Sequence, residues 1–277
     1  MAEAPVFGFE ETTMLWILVL SLYAAVTWGQ TPRNSAEPAA QPSFGLQDAS
    51  VLQRLAESKP LIGKGGPIPR LVDGKPDLSG PWEPNAIREN VSLLATGVAI
   101  PFRAEAKSIY DHRLATLGTE DPEARCLPPG VPRLTTTPYP FRFLQVPGLI
   151  VIIYEGGSQT FRQIFTDGRG FSRFAEDLWN GESIGHWDDD TLVVETRGFN
   201  ERTWIDASGV PHSKDMKVTE RIRLLDGENM EIVSTVDDQR MYTKPWSFTT
   251  YPKRLHGEIL EYICNENEAD VKHLVSK

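Results

Sequence analysis

Six short runs between residues 148 and 265 constrain this chain more than any other feature of it. They are "GLIVIIYE", "QTFRQIFTD", "DTLVVETRGF", "KVTERIRLLD", "NMEIVSTVDD" and "HGEILEYICN". Val, Ile, Thr, Phe and Tyr dominate them, residues that suit a pleated, half-buried backbone, and no helical apolar period lies between them. Asp167-Gly168 and Asp226-Gly227 are tight-turn dipeptides. The pattern predicts an antiparallel meander. A sheet of that length has edges to protect, so it is expected to close into a lipocalin-like barrel, with a β-sandwich as the alternative. "GLIVIIYE" is apolar on both faces and is expected to be a central strand covered on both sides.

The segment before the sheet reads differently. No charge lies between Glu11 and Arg33, and the apolar centre Leu15 to Val26 has the length of a signal-peptide core. Residues 1–29 are expected to be an export signal cleaved before Gln30, with an uncleaved membrane anchor as the alternative. A true start at Met14 explains why Glu3, Glu10 and Glu11 precede the core with no Lys or Arg. Residues 30–70 are a Pro/Ala/Ser-rich linker with a short helix starting at Asp48, and 71–277 form one β-rich domain. Within that domain "PFRAEAKSIYDHRLATLG" is expected to be a helix. "DPEARCLPPGVPRLTTTPYP" carries too much proline for helix or strand and is expected to be a long ordered strap.

Charge and cysteine content narrow the partners. The formal net charge is −10, and −7 without residues 1–29, which carry three Glu and no base. An acidic exported protein has no electrostatic reason to bind nucleic acid, and membrane contact is expected only if the N-terminal segment stays. Oligomeric state is left open. Cys126 and Cys264 are the two cysteines; in an oxidising periplasmic or secreted setting they are expected to pair, a cross-link that stabilises by about 2–4 kcal/mol.

Candidate site residues follow from strand alternation. In "KVTERIRLL", Glu220 shares a face with Val218, Ile222 and Leu224. A carboxylate among aliphatics must be paired, protonated or solvated. It is either an interior acid/base or one half of an ion pair at the barrel rim. Phe161, Gln163 and Phe165 share one face of "TFRQIFTDGR", with Arg169 just beyond, and look like a ligand-lined wall. Trp187 and Trp204 are further candidate walls. His212, near Ser213 and one strand away from Glu220, is a candidate acid/base partner, although no nucleophile-elbow glycines surround Ser213. "HWDDD", residues 186–190, reads as a turn leading into a strand. No spacing of a metal or calcium site occurs, nor any nucleotide or haem motif, so no metal and no cofactor is expected.

The stretches "DGKPDLSGPW", "CLPPGVPR", "FTDGRGF", "GESIGHWDDDTLVVET", "PHSKDMKVTERIRLLD" and "EYICNEN" resemble a large group of uncharacterised exported bacterial proteins. That group reads W-x-G-D-T where this chain has Asp189 in the glycine position, which weakens the ideal tight turn there. The resemblance implies export and no catalytic residue. "DLSGPW" is also similar to the Gly-x-Trp entry of lipocalin-like barrels, with Gly80 and Trp82 in the matching places. That similarity implies a tryptophan closing one end under a late-strand arginine, a part that Arg221 or Arg223 is placed to play by cation–π stacking. Three functions follow. The first is a barrel binding a small apolar or aromatic molecule in its interior. The second is a cofactor-independent lyase, isomerase or hydrolase using Glu220 and His212. The third is a structural or interaction protein.

Overall fold

A computed structural model describes residues 65–173, 177–264 and 266. The chain divides into Met1–Ser43 and Phe44–Lys277, and every described residue belongs to the second unit. The export segment, the linker up to residue 64 and the Asp48 helix lie outside the described residues.

Ten strands form one sheet: β1 (Gly80–Glu83), β2 (Phe141–Val146), β3 (Leu149–Tyr154), β4 (Phe161–Phe165), β5 (Glu182–Asp188), β6 (Thr191–Arg197), β7 (Lys217–Leu224), β8 (Met230–Asp237), β9 (Trp246–Thr250) and β10 (Lys253–Arg254). Their order is β10-β1-β2-β3-β4-β5-β6-β7-β8-β9. β10 continues β9 past Pro252 in the same register against β8, since Ile232 faces Thr250 and Asn229 faces Lys253. Lys253 also faces Glu83 of β1. One bent strand line therefore joins both ends of the sheet, and the barrel closes. This mainly-β closed sheet leaves no place for the sandwich alternative.

Closure corrects one expectation. Nine strand lines cannot alternate in direction all round a ring, so at least one neighbouring pair must run parallel. It falls at β4–β5, which pair only at Ile164 with Ser183 and Phe165 with Ile184. Parallel neighbours need a long crossover, here residues 166–181. The sheet is thus a meander with one interruption, and that seam has the shortest ladder among the neighbours β1 to β9.

Alternation works as expected on β7, where Val218, Glu220, Ile222 and Leu224 are buried and Lys217, Arg221 and Arg223 exposed. On β3 only Ile150, Ile152 and Tyr154 are buried, while Leu149, Val151 and Ile153 are half-buried. The second covering layer expected there is absent among the described residues. "HGEILEYICN" forms no strand in its described part. It is tied down instead by Arg142 to Glu258, by Leu260 N–H to Glu155 (2.7 Å) and by the Cys126–Cys264 disulfide.

Two helices are described, α1 (Ile87–Val91) and α2 (Ala104–Ala115), the latter inside the expected 101–118 run. The proline-rich strap carries two 3-10 turns and is pinned by Arg133, which is buried and holds Asp121 bidentately (2.8 and 2.8 Å) and Glu123 (2.7 Å). No described helix is long and apolar enough to cross a membrane.

Candidate functional site

Inside the barrel, large side chains fill the space. Trp82, Phe141, Phe143, Ile152, Leu192 and Ile232 are fully buried. Among them lies a polar centre built by four neighbouring strands. Arg162 points inward from β4 and donates from Nε to Ser183 Oγ (2.9 Å) on β5 and from Nη2 to Thr196 Oγ1 (2.7 Å) on β6. Nη2 also meets Glu220 Oε2 (2.5 Å) on β7, and neither side chain reaches solvent. Glu220 is therefore an interior ion pair, not a rim pair. Burial works to lower the Arg162 guanidinium, yet Glu220 and Tyr154 outweigh it and hold it above its ordinary value.

The centre is incompletely satisfied. Arg162 Nη1, Glu220 Oε1, Tyr154 Oη and Ser234 Oγ are buried with no hydrogen-bond partner. Ser234 sits directly across from Glu220 on β8, a spacing of about 5 Å between Cβ atoms. Burial pushes the Tyr154 phenol well above its ordinary value, so it stays protonated. Arg162 acts on Tyr154 both by its charge and as a close polar neighbour, which favours the phenolate, but burial outweighs it. In sequence Glu220 stood out and Arg162 was a candidate anion anchor beside Arg169, but their pairing was not legible, because they lie 58 residues apart.

The candidate wall turns the other way. Phe161 and Gln163 are exposed and Phe165 is half-buried, on the outer side of β4. They line a cleft of about 340 Å³ over the β4–β5 seam, together with Leu178, Asn180 and Glu182. Arg169 is exposed, bound to Asp167, with its guanidinium 4.0 Å from the Phe165 ring centre. Trp187 packs at the barrel end under Lys75. Trp204 is buried in the loop after β6, with Arg113 stacked on it at 4.7 Å. The six candidate ligand residues thus occupy three separate places, and none of the six points into the interior centre.

His212 and Glu220 are not joined by any hydrogen bond. His212 is buried in the loop after β6, where Nε2 contacts Thr203 Oγ1 (2.6 Å) and Nδ1 contacts the Ser213 carbonyl (3.0 Å). Only Nδ1 can donate to a carbonyl, so Nε2 accepts from Thr203. Burial lowers the imidazole below its ordinary value, more than the Ser213 carbonyl and Asp238 raise it. Asp238 takes Ser213 N–H (2.6 Å) and Ser213 Oγ (2.9 Å). The "PHSKD" stretch thus fixes a loop.

The "HWDDD" stretch finishes β5 and turns. Asp188 faces Thr191 across a two-residue turn, and Asp189 adopts φ +50° where the resembled group has glycine. Asp tolerates this left-handed conformation better than most residues. Asp188 pairs with Arg221 (2.9 Å) and Asp190 with Arg70 (2.6 Å).

The arginine over Trp82 is neither Arg221 nor Arg223, both of which point outward, but Arg254 of β10, 4.0 Å from the ring centre. Gly80 adopts φ +109°, and a Cβ there would stand 2.7 Å from Arg254 Nη1. Glycine suits this position because of its left-handed φ, and a Cβ would also push against the end of the Arg254 side chain.

No family model matches the chain, and no curated protein matches it. Among solved structures it is similar to a mutant of the fluorescent protein UnaG, at 12% identity over 65% of this chain and 96% of that one, with a TM-score of 0.29. A score that low fixes neither topology nor ligand, and the barrel stands on its own strand pairing.

Proposed function

We propose that this protein is an exported barrel that binds a small molecule in the β4–β5 seam cleft, whose lining reaches Arg162 and Ser183 of the Arg162–Glu220 centre. The observation that carries the reading is the set of four buried, unpartnered polar atoms around that ion pair. Each such group costs about 1–3 kcal/mol when left unpaired, a large share of a total stability of about 5–15 kcal/mol. The missing partner must accept from Arg162 Nη1 and donate to Glu220 Oε1, and its remaining contacts are the Tyr154 and Ser234 hydroxyls. A pure anion meets Glu220 and a pure cation meets Arg162, so the bound group is one that both donates and accepts, a hydroxyl or a primary amide. Entry is at the β4–β5 seam, where two residue pairs hold the wall and Phe161, Gln163 and Phe165 offer an aromatic threshold. Export is supported by the uncharged N-terminal run and by a disulfide, which persists in oxidising compartments.

The double variant Tyr154→Phe, Ser234→Ala tests this reading, because it removes two unpartnered hydroxyls and leaves the ion pair. Native mass spectrometry of protein from its own host should show a stoichiometric small molecule on the wild type and none on the variant. The ligand-free variant should melt no lower than ligand-free wild type. A wild type that carries nothing, or a variant that keeps the molecule, overturns the proposal. So does a loss of stability, which assigns the hydroxyls to packing.

A further inference from the structure

We infer a second, apolar ligand site at the barrel end where β2 turns into β3, sharing no residue with the interior centre and not depending on it. The segment Gly65–Leu78 crosses this end as a strap. Gly65 N–H donates to Asp226 (3.0 Å) beside β7, Arg70 pairs with Asp190 (2.6 Å) at the β5–β6 turn, and Leu78 N–H donates to Gln145 Oε1 (3.1 Å) on β2. Between these ties the strap makes a turn, closed by Leu71 N–H to the Lys75 carbonyl (2.9 Å), that carries Val72 at its tip.

Beneath the turn lies a concavity of about 350 Å³ whose apolar lining is Leu71, Val72, Val146, Pro147, Ile150 and Trp187. Val72 is fully exposed and Val146 52% exposed, so apolar surface there stands open to water. The volume lies in the range of small-molecule pockets, about 300–1,000 Å³, and is too small for a folded partner.

The Gln145 amide and one oxygen of Asp73 are already engaged. Gln145 accepts from Leu78 and donates to the Pro76 carbonyl (3.3 Å), and Asp73 accepts from Lys75 N–H (3.0 Å). Recognition therefore rests on apolar contact. Asp73 lines the site and the Lys75 ammonium stands 5.9 Å over the Trp187 ring, so opposite charges flank it and neither sign of ligand charge is favoured. The ligand class is an uncharged aromatic molecule of two or three rings, seated against Trp187 under the strap.

Two probes with the same ring system separate the charge effect from the apolar one. N-phenyl-1-naphthylamine is uncharged, and 1-anilinonaphthalene-8-sulfonate adds an anion. Titrated into the full chain, the uncharged probe should bind one to one, and the sulfonate, which adds only a charge, no more tightly. Val72→Asp with Val146→Asp, both at exposed positions, should weaken it by ~10-fold or more with the circular dichroism spectrum unchanged. Tyr154→Phe, Ser234→Ala should leave it unchanged. Absent binding, tighter binding of the sulfonate, or an unaffected aspartate variant each overturns the site. Loss in the Tyr154/Ser234 variant alone sends the probe to the interior, which rejects this site and keeps the other.

Discussion

His212 and Glu220 are two buried titratable side chains with opposite solutions to burial. Glu220 stays beside a guanidinium, whereas His212 is neutral, with one ring nitrogen donating and the other accepting. Its folded pKa is depressed, so below about pH 6.5 the unfolded chain binds a proton that the folded chain resists. Its contribution to stability is complete above that value and shrinks as the pH falls toward the folded pKa. Urea midpoints measured from pH 7.5 down to about 5 should therefore fall less steeply in His212→Gln than in wild type. Nitrogen NMR should find the proton on Nδ1 at pH 7; a charged imidazole there contradicts the assignment. Residue by residue, the chain revealed which side chains were anomalous. Glu220 stood out against three aliphatics, but Arg162, 58 residues away, and Thr203, nine residues from His212 across an irregular loop, could be named as partners only after folding.

Among the elements, length did not decide legibility, since the five-residue β4 was read and the six-residue β2 and seven-residue β5 were not. β3, β4, β6, β7 and β8 coincide with five of the six strand-forming runs. β1, β2, β5, β9 and β10 were missed as strands: "GPWE" contains a proline, β10 has two residues, and β5 carries Gly185, His186 and Asp188. These strands exist because neighbours on both sides offer hydrogen bonds, a tertiary gain that propensity does not contain. β1 also places a specific demand on the backbone. Gly80→Ala places a methyl against Arg254 in a conformation that disfavours any side chain, and should lower stability by about 1–3 kcal/mol. Thermal unfolding of the variant checks this. Trimming the guanidinium with Arg254→Ala in the same chain should recover only the steric part, leaving the left-handed strain in place.

Across the whole molecule, the disulfide and the closed ladder cooperate. Cys126 and Cys264 are 138 residues apart and bring the C-terminal segment back beside the strap that precedes β2. By chain entropy a loop of that length stabilises by up to about 5 kcal/mol. Replacing both cysteines by serine should lower the urea midpoint markedly while leaving the β-type circular dichroism spectrum. A spectrum that collapses instead means the barrel cannot hold without the cross-link.

Read as a linear string, the chain already specifies a sheet protein with an inside and an outside, because side-chain alternation is a local property. The cysteine pair, the helix near 101–118 and the anomaly of Glu220 are legible in the same way. How the ring closes, where its one parallel seam falls, which arginine covers Trp82 and which neutralises Glu220 emerge only in the folded chain. Those are contacts between distant segments, fixed by the geometry of closing a strip of strands on itself, and no local pattern of residues encodes which distant partner will arrive.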